Sequence, residues 1–107
     1  MSNTESDQEQ LVRGMLYFAV LACLEQHESY GAQLLLKLDP TPFSTKAGTL
    51  YPLMSRMQKQ GLISSRWVIK TGKPPMRYYT ITTDGQAKLG SLRATLEQIN
   101  KVLGGEL

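Results

Sequence analysis

The sequence is poor in the residues that most enzymes and secreted proteins need. One cysteine, Cys23, stands among 107 residues, so an intrachain disulfide is excluded. There is one histidine, His27, four positions after Cys23. Two ligands on one helical turn fall short of the usual zinc set, and no carboxylate completes them. No glycine-rich phosphate cradle is present. The strongest apolar run, Met15 to Leu24, is ten residues long, too short to span a bilayer. The opening "MSNTESDQEQ" is polar and acidic and lacks the basic start of a secretory signal. These absences predict a cytoplasmic chain with no catalytic residue, no metal, no cofactor and no membrane association.

The most informative absence is of acid. Residues 40–83 hold Lys46, Arg56, Lys59, Arg66, Lys70, Lys73 and Arg77 and no carboxylate. Residues 1–39 carry a net charge of −4 and residues 84–107 of zero, so the whole chain is only +3. An acid-free basic segment suits a polyanion, because a carboxylate there would repel phosphate.

Periodicity sets out the elements. Residues 1–9 are polar and are expected to be disordered. A helix is predicted from about Gln10 to Gln26, with Leu11, Met15, Phe18, Leu21, Ala22 and Leu24 making an apolar surface wider than one face needs. Ser29 is placed to cap a second helix, Tyr30 to Leu38, and Gly31 in its first turn allows close approach of a neighbour. "DPTPF" ends it. Ser44 or Thr45 is placed to cap a third helix running to about Gln60, with Gly61 at the left-handed stop. In "LISSRWVIK" the residues Ile63, Trp67 and Ile69 share one strand face, which predicts a core position for Trp67. "TGKPP" is a turn and "MRYYTIT" a second strand. Thr83 and Gln86 fit a capping box for the last helix. Leu89, Leu92, Leu96, Ile99 and Leu103 then recur at three and four, a seam suited to a partner chain. The order of elements predicts an α+β, mostly helical fold. It is a winged helix-turn-helix over residues 10–82, followed by a dimerisation helix over 83–107.

Several segments resemble the PadR family of transcriptional regulators. "GTLYPLMSRMQKQGLI" (Gly48 to Ile63) is similar to the family pattern G-x-L-Y-P-x-L-x-x-L-x-x-x-G-L-I. "YGAQLL" resembles its Y-G-Y-E-L, with Gln33 where glutamate is frequent. "MRYYTITTDGQAKL" resembles R-x-Y-x-L-T-x-x-G-x-x-x-L, and "LVRGMLYFAVLACL" its first helix. The likeness covers about residues 11–103, and the short last helix fits the smaller members. It implies a bacterial, repressor-like homodimer that binds double-stranded DNA and joins the nucleoid when bound. The dimer would be held by the last helix and by Leu11, Met15 and Phe18 of the first. It also implies release by a small aromatic effector at the dimer interface. The last helix lacks the tryptophan on which some drug-binding members stack flat ligands.

Projecting the third helix places Leu50, Leu53, Met54 and Met57 within about one hundred degrees, a core face. The opposite face carries Thr45, Gly48, Thr49, Pro52, Ser55, Arg56 and Lys59, with Tyr51 and Gln58 on one flank. Thr45, Lys46, Thr49 and Arg56 are the candidates for base edges in the major groove. Tyr51 is either a phosphate donor or an aromatic wedge between helix and hairpin. Lys70, Lys73 and Arg77 are expected to lead the wing along the DNA backbone or into the minor groove. Pro52 and Gly48 are four apart on this outer face, where a local bend and open backbone suit close approach to DNA. The alternative function is a winged-helix protein-interaction module that does not bind DNA.

Overall fold

Ser6 starts the first helix, earlier than the apolar period suggests. Its hydroxyl accepts from the Glu9 N–H at 3.1 Å while its own N–H donates to Glu9 Oε1 at 3.0 Å, a complete capping box. Arg13 grips Glu5 through Nε and Nη2 at 3.0 and 2.9 Å. The chain is described over residues 5–105 in a computed structural model. Of the N-terminal stretch expected to be disordered, residues 1–4 lie outside that range and the rest joins or flanks this helix. Helix α1 spans Asp7–Gln26, and its buried face is Leu16, Val20, Leu21 and Leu24.

Ser29 does not cap a helix. With Tyr30 it forms a two-residue strand, β1 (Ser29–Tyr30), and its hydroxyl donates to the His27 carbonyl and accepts from Lys37 Nζ. Helix α2 (Gly31–Leu38) is closed instead by Gln33, whose Oε1 accepts from the Tyr30 N–H at 3.0 Å. Thr41 and Asp39 then hold the turn, accepting from Phe43 N–H and from the Ser44 hydroxyl. Ser44 is thus engaged elsewhere, and the N-cap of α3 (Ala47–Lys59) is Lys46, with no side-chain cap. The C-terminus behaves as expected. Gly61 has φ 78°, its N–H donates to Gln58 O and Leu62 N–H to Met57 O, the paired bonds of a Schellman stop.

Strands β2 (Ile63–Val68) and β3 (Met76–Ile81) form the hairpin, in register from Ile63 opposite Ile81 to Val68 opposite Met76. β1 adds to the free edge of β3, so the sheet order is β1-β3-β2. The sequence predicts two strands; the third escapes because two residues carry no period. Helix α4 (Thr83–Gly104) is capped by Thr82 rather than Thr83, the Thr82 hydroxyl accepting from Gly85 N–H at 3.0 Å. Residues 106–107 lie outside the description. No described helix is long and apolar enough to cross a membrane.

One core joins these pieces. It comprises Leu16, Val20, Leu21 and Leu24 of α1, Leu34 and Leu38 of α2, Leu50, Met54 and Met57 of α3, Ile63, and Leu89. Two sequence assignments change. Leu89 is fully buried in its own chain and offers no free surface to a partner, while Leu92 is half-buried against the same cluster and keeps part of its surface open. Trp67 shares the strand face of Ile63, but the core ends before it, and the residue is 63% exposed. Alternation reveals which face a residue takes, not how far the core extends beneath it.

Candidate nucleic-acid interface

The third helix turns its apolar stripe inward as projected. Leu50, Met54 and Met57 are buried and Leu53 is half-buried. Lys46, Gly48, Thr49, Tyr51, Pro52, Ser55, Arg56 and Lys59 are exposed, and Thr45 is half-buried. At 100° per residue the middle of the outward face is Gly48, Pro52, Ser55 and Lys59. Arg56 sits off-centre, beside a groove it lines with Tyr17, Gln60 and Lys88. α3 continues through Pro52. Proline has no N–H, so the Gly48 carbonyl has no i+4 donor on this face. A Cβ at Gly48 would meet nothing within 4 Å, so the backbone is open there. The uncapped N-terminus of α3 leaves first-turn N–H groups for an anion.

Tyr51 packs against the start of α2. A Cβ on Gly31 would collide with the Tyr51 ring, its Cζ and hydroxyl both at 2.8 Å. Glycine therefore lets α2 start flush against α3, and Tyr51 stays 43% exposed at the rim. A Gly31→Ala chain is expected to lose about 1 kcal/mol, a fall in Tm of about 5 °C. The same substitution in a Tyr51→Ala background should cost almost nothing. A cost that persists without Tyr51, measured by thermal melting, would show that another contact is responsible.

The wing residues divide. Lys70 and Lys73 are exposed at a turn closed by Lys73 N–H donating to Lys70 O at 3.2 Å, with Gly72 at φ 75°. Arg77 points back at α3. Its Nε–H donates to Ser65 Oγ at 2.9 Å and its Nη2 reaches Gln58 Oε1 at 3.4 Å. Arg66 lies on the other strand face, gripping Glu28 at 2.9 and 2.7 Å. That hydrogen-bonded guanidinium holds the Glu28 carboxyl below the usual carboxylate range. A depressed carboxylate stabilises above its unfolded value and is lost as pH falls through the folded one, so the pair persists at neutral pH. Arg66 is therefore a compensated cation. Gln58 and Glu28 were invisible as partners in the sequence, since each contact joins distant elements.

The residues expected at a partner chain are also mixed. Leu11 is 63% exposed, Met15 and Phe18 are half-buried, and Leu96, Ile99 and Leu103 are 39, 48 and 80% exposed. Val102, not singled out in the sequence, joins them at 57%. A groove of about 660 Å³ runs between the start of α1 and the α2–α3 turn, lined by Val12, Leu16, Phe43, Lys46 and Thr49 among others. Among the described residues no group of three or more His, Cys, Asp or Glu could hold a metal. Burial pushes the Cys23 thiol above its ordinary value, partly offset by Lys37, so it is not an activated nucleophile.

Comparison with known proteins agrees with this geometry. The model of the transcriptional regulator PadR-like family matches residues 20–91. A protein described as transcriptional regulator Rv3488 of Mycobacterium tuberculosis is 32% identical over 95 residues, 88% of each chain. A PadR-like transcriptional regulator from Bacillus cereus superposes with a TM-score of 0.82 at 30% identity, covering 90% of this chain and 94% of the other. A PadR family regulator from Eggerthella lenta gives 0.80 at 34% identity, over 90% and 84%. Helix-turn-helix, wing and C-terminal helix thus occur together in sequence and in space, and the chain belongs to the PadR-like family of transcriptional regulators.

Proposed function

We propose that the chain is a homodimeric repressor that binds a roughly palindromic operator in the bacterial cytoplasm and joins the nucleoid when bound. The observation that carries the DNA contact is the exposed, acid-free face of α3, with Lys46, Arg56 and Lys59, next to the wing lysines Lys70 and Lys73. Five outward cations per protomer set the expected salt dependence. The logarithm of the binding constant should fall against log salt with a slope of about −4.5 for one bound protomer and about −9 for two. The measurement is anisotropy of a labelled duplex across a salt series. A slope near zero would remove the DNA reading and favour a protein-interaction module.

Arg56 tests the helix face. Arg56→Ala should weaken operator binding by about 1–3 kcal/mol, the worth of one good bidentate base contact. Its exposure means that Tm should not move. Unchanged operator affinity would mean that α3 enters the groove through Ser55 and Lys59 and leaves Arg56 on the flank.

Control by a small aromatic effector at the dimer interface is the finer part of the proposal. The proposed interface is apolar, with Leu11 of α1 and Leu96, Ile99 and Leu103 of α4 exposed on it. An effector seated there would bias the spacing of the two recognition helices. Thermal-shift screening with planar aromatic acids and amines is the test; no shift with any of them would count against this part alone.

A further inference from the structure

The wing carries an aromatic surface that the DNA reading does not yet use. Trp67 is 63% exposed and Ile69, two residues on, 77%. Trp67 lies directly opposite Arg77 in the hairpin ladder. The Arg77 guanidinium carbon is 5.9 Å from the Trp67 ring centroid and 5.7 Å from that of Tyr79. Its donors turn toward Ser65 and Gln58, and the Ser65 hydroxyl also donates to Gln58 Oε1 at 3.1 Å. Gln58 belongs to α3. One guanidinium therefore joins the recognition helix to the wing and supports the indole at the same time. A flat, weakly hydrated cation suits that double task, and an ammonium does not.

We propose that Arg77 is a positioning residue that fixes the wing against α3 through Ser65 and Gln58, and that the Trp67 indole it supports is an apolar contact for the sugar edges of duplex DNA. This rests on the DNA reading above and revises the role of Arg77, grouped from sequence with Lys70 and Lys73 as a DNA-facing wing cation. The occupant follows from charge. Residues 40–83 hold no carboxylate, and Lys70 and Lys73 follow Trp67 closely. A partner for that surface must be anionic yet offer apolar area, which deoxyribose does. An exposed indole beside such cations is then covered only in the complex.

Trp67 is the chain's single tryptophan, so emission excited at the red edge of the indole band, where tyrosine does not absorb, reports on it alone. The full chain is titrated with a short mixed-sequence duplex at low salt, while an end label on the duplex reports binding independently by anisotropy. Trp67 emission should change in step with anisotropy, an observation that needs no variant. Trp67→Ala should weaken binding about tenfold, one lost contact of ordinary size, with the salt slope unchanged. Arg77→Lys keeps the charge but not the bridge, and should weaken binding to a similar degree at unchanged slope. Gln58→Leu should do the same, and its effect should not add to that of Arg77→Lys. Anisotropy that rises normally while Trp67 emission stays constant would overturn the contact and leave the DNA reading intact. Wild-type affinity in Arg77→Lys, or a slope reduced by about one in Arg77→Ala, would make Arg77 a phosphate cation and overturn its positioning role. Quenching by polyglutamate but not by duplex would assign the surface to an acidic protein and overturn the proposal. No anisotropy change at low salt would overturn the DNA reading itself.

Discussion

Replacing Leu96 with glutamate is expected to leave a folded monomer whose operator affinity is lower by about two to four orders of magnitude, the usual worth of linking two half-sites. The argument starts from the far half of α4. Every described residue after Leu92 is exposed, and Arg93 grips Glu25 of α1 at 3.0 Å. A helical segment of this length is marginal alone in water. It nonetheless presents Leu96, Ile99, Val102 and Leu103, and Leu11 stands exposed on α1. A second copy placed on these residues would cover them and supply the missing packing. A carboxylate at position 96 would be buried unpaired in that interface, yet would sit in water in the monomer. Size-exclusion with light scattering gives the mass, and duplex anisotropy gives the affinity. A Leu96→Glu chain that remains dimeric would place the proposed interface elsewhere.

The second large effect concerns two glycines of one helix. Gly85→Ala is expected to destabilise the fold by about 3 kcal/mol, a fall in Tm of about 15 °C, whereas Gly90→Ala should stabilise it by up to about 1 kcal/mol. A Cβ on Gly85 would strike the Leu62 carbonyl oxygen and lie 2.7 Å from Ile81 Cγ1. The obstacle is backbone, and it is fixed: Leu62 O already accepts from Thr82 N–H at 3.1 Å. A Cβ on Gly90 would meet nothing within 4 Å, so alanine there only restricts the unfolded chain. Thermal melts of both variants decide it. Equal Tm values would mean that the start of α4 can shift away from β2.

Much of this was readable from residue spacing. The core stripe of α3, the Gly61 stop, both long strands and the need of Gly31 for a close neighbour follow from period and backbone preference. What was hidden has physical causes. β1 is two residues long, and Ser29 suits a cap and a strand edge equally well. Thr82 and Thr83 are adjacent and carry the same hydroxyl, so only the backbone decides which one caps. Leu89 repeats with Leu96, but burial in the same chain and burial in a partner leave the same period. Trp67 alternates correctly yet overhangs the core. Arg77 looks like one more cation because its restraint comes from Gln58, 19 positions away. Spacing encodes direction, and reach depends on the third dimension.

The junction at Leu62 also has a mechanical meaning. Thr82 is stitched to both Gly61 and Leu62, through its hydroxyl at 2.6 Å and its N–H at 3.1 Å, and Gly85 rests on the same carbonyl. Gly61 closes α3 and Leu62 leads into the hairpin. On the other side α4 extends 22 residues, its first half held by Leu89 and Leu92 in the core and by the Arg93–Glu25 pair on α1. About 16 Å of helix projects past that clamp. The helix is a cantilever, fixed along its first half and free beyond it, so a load on its free end is carried by α1 and the core before it reaches the Leu62 junction.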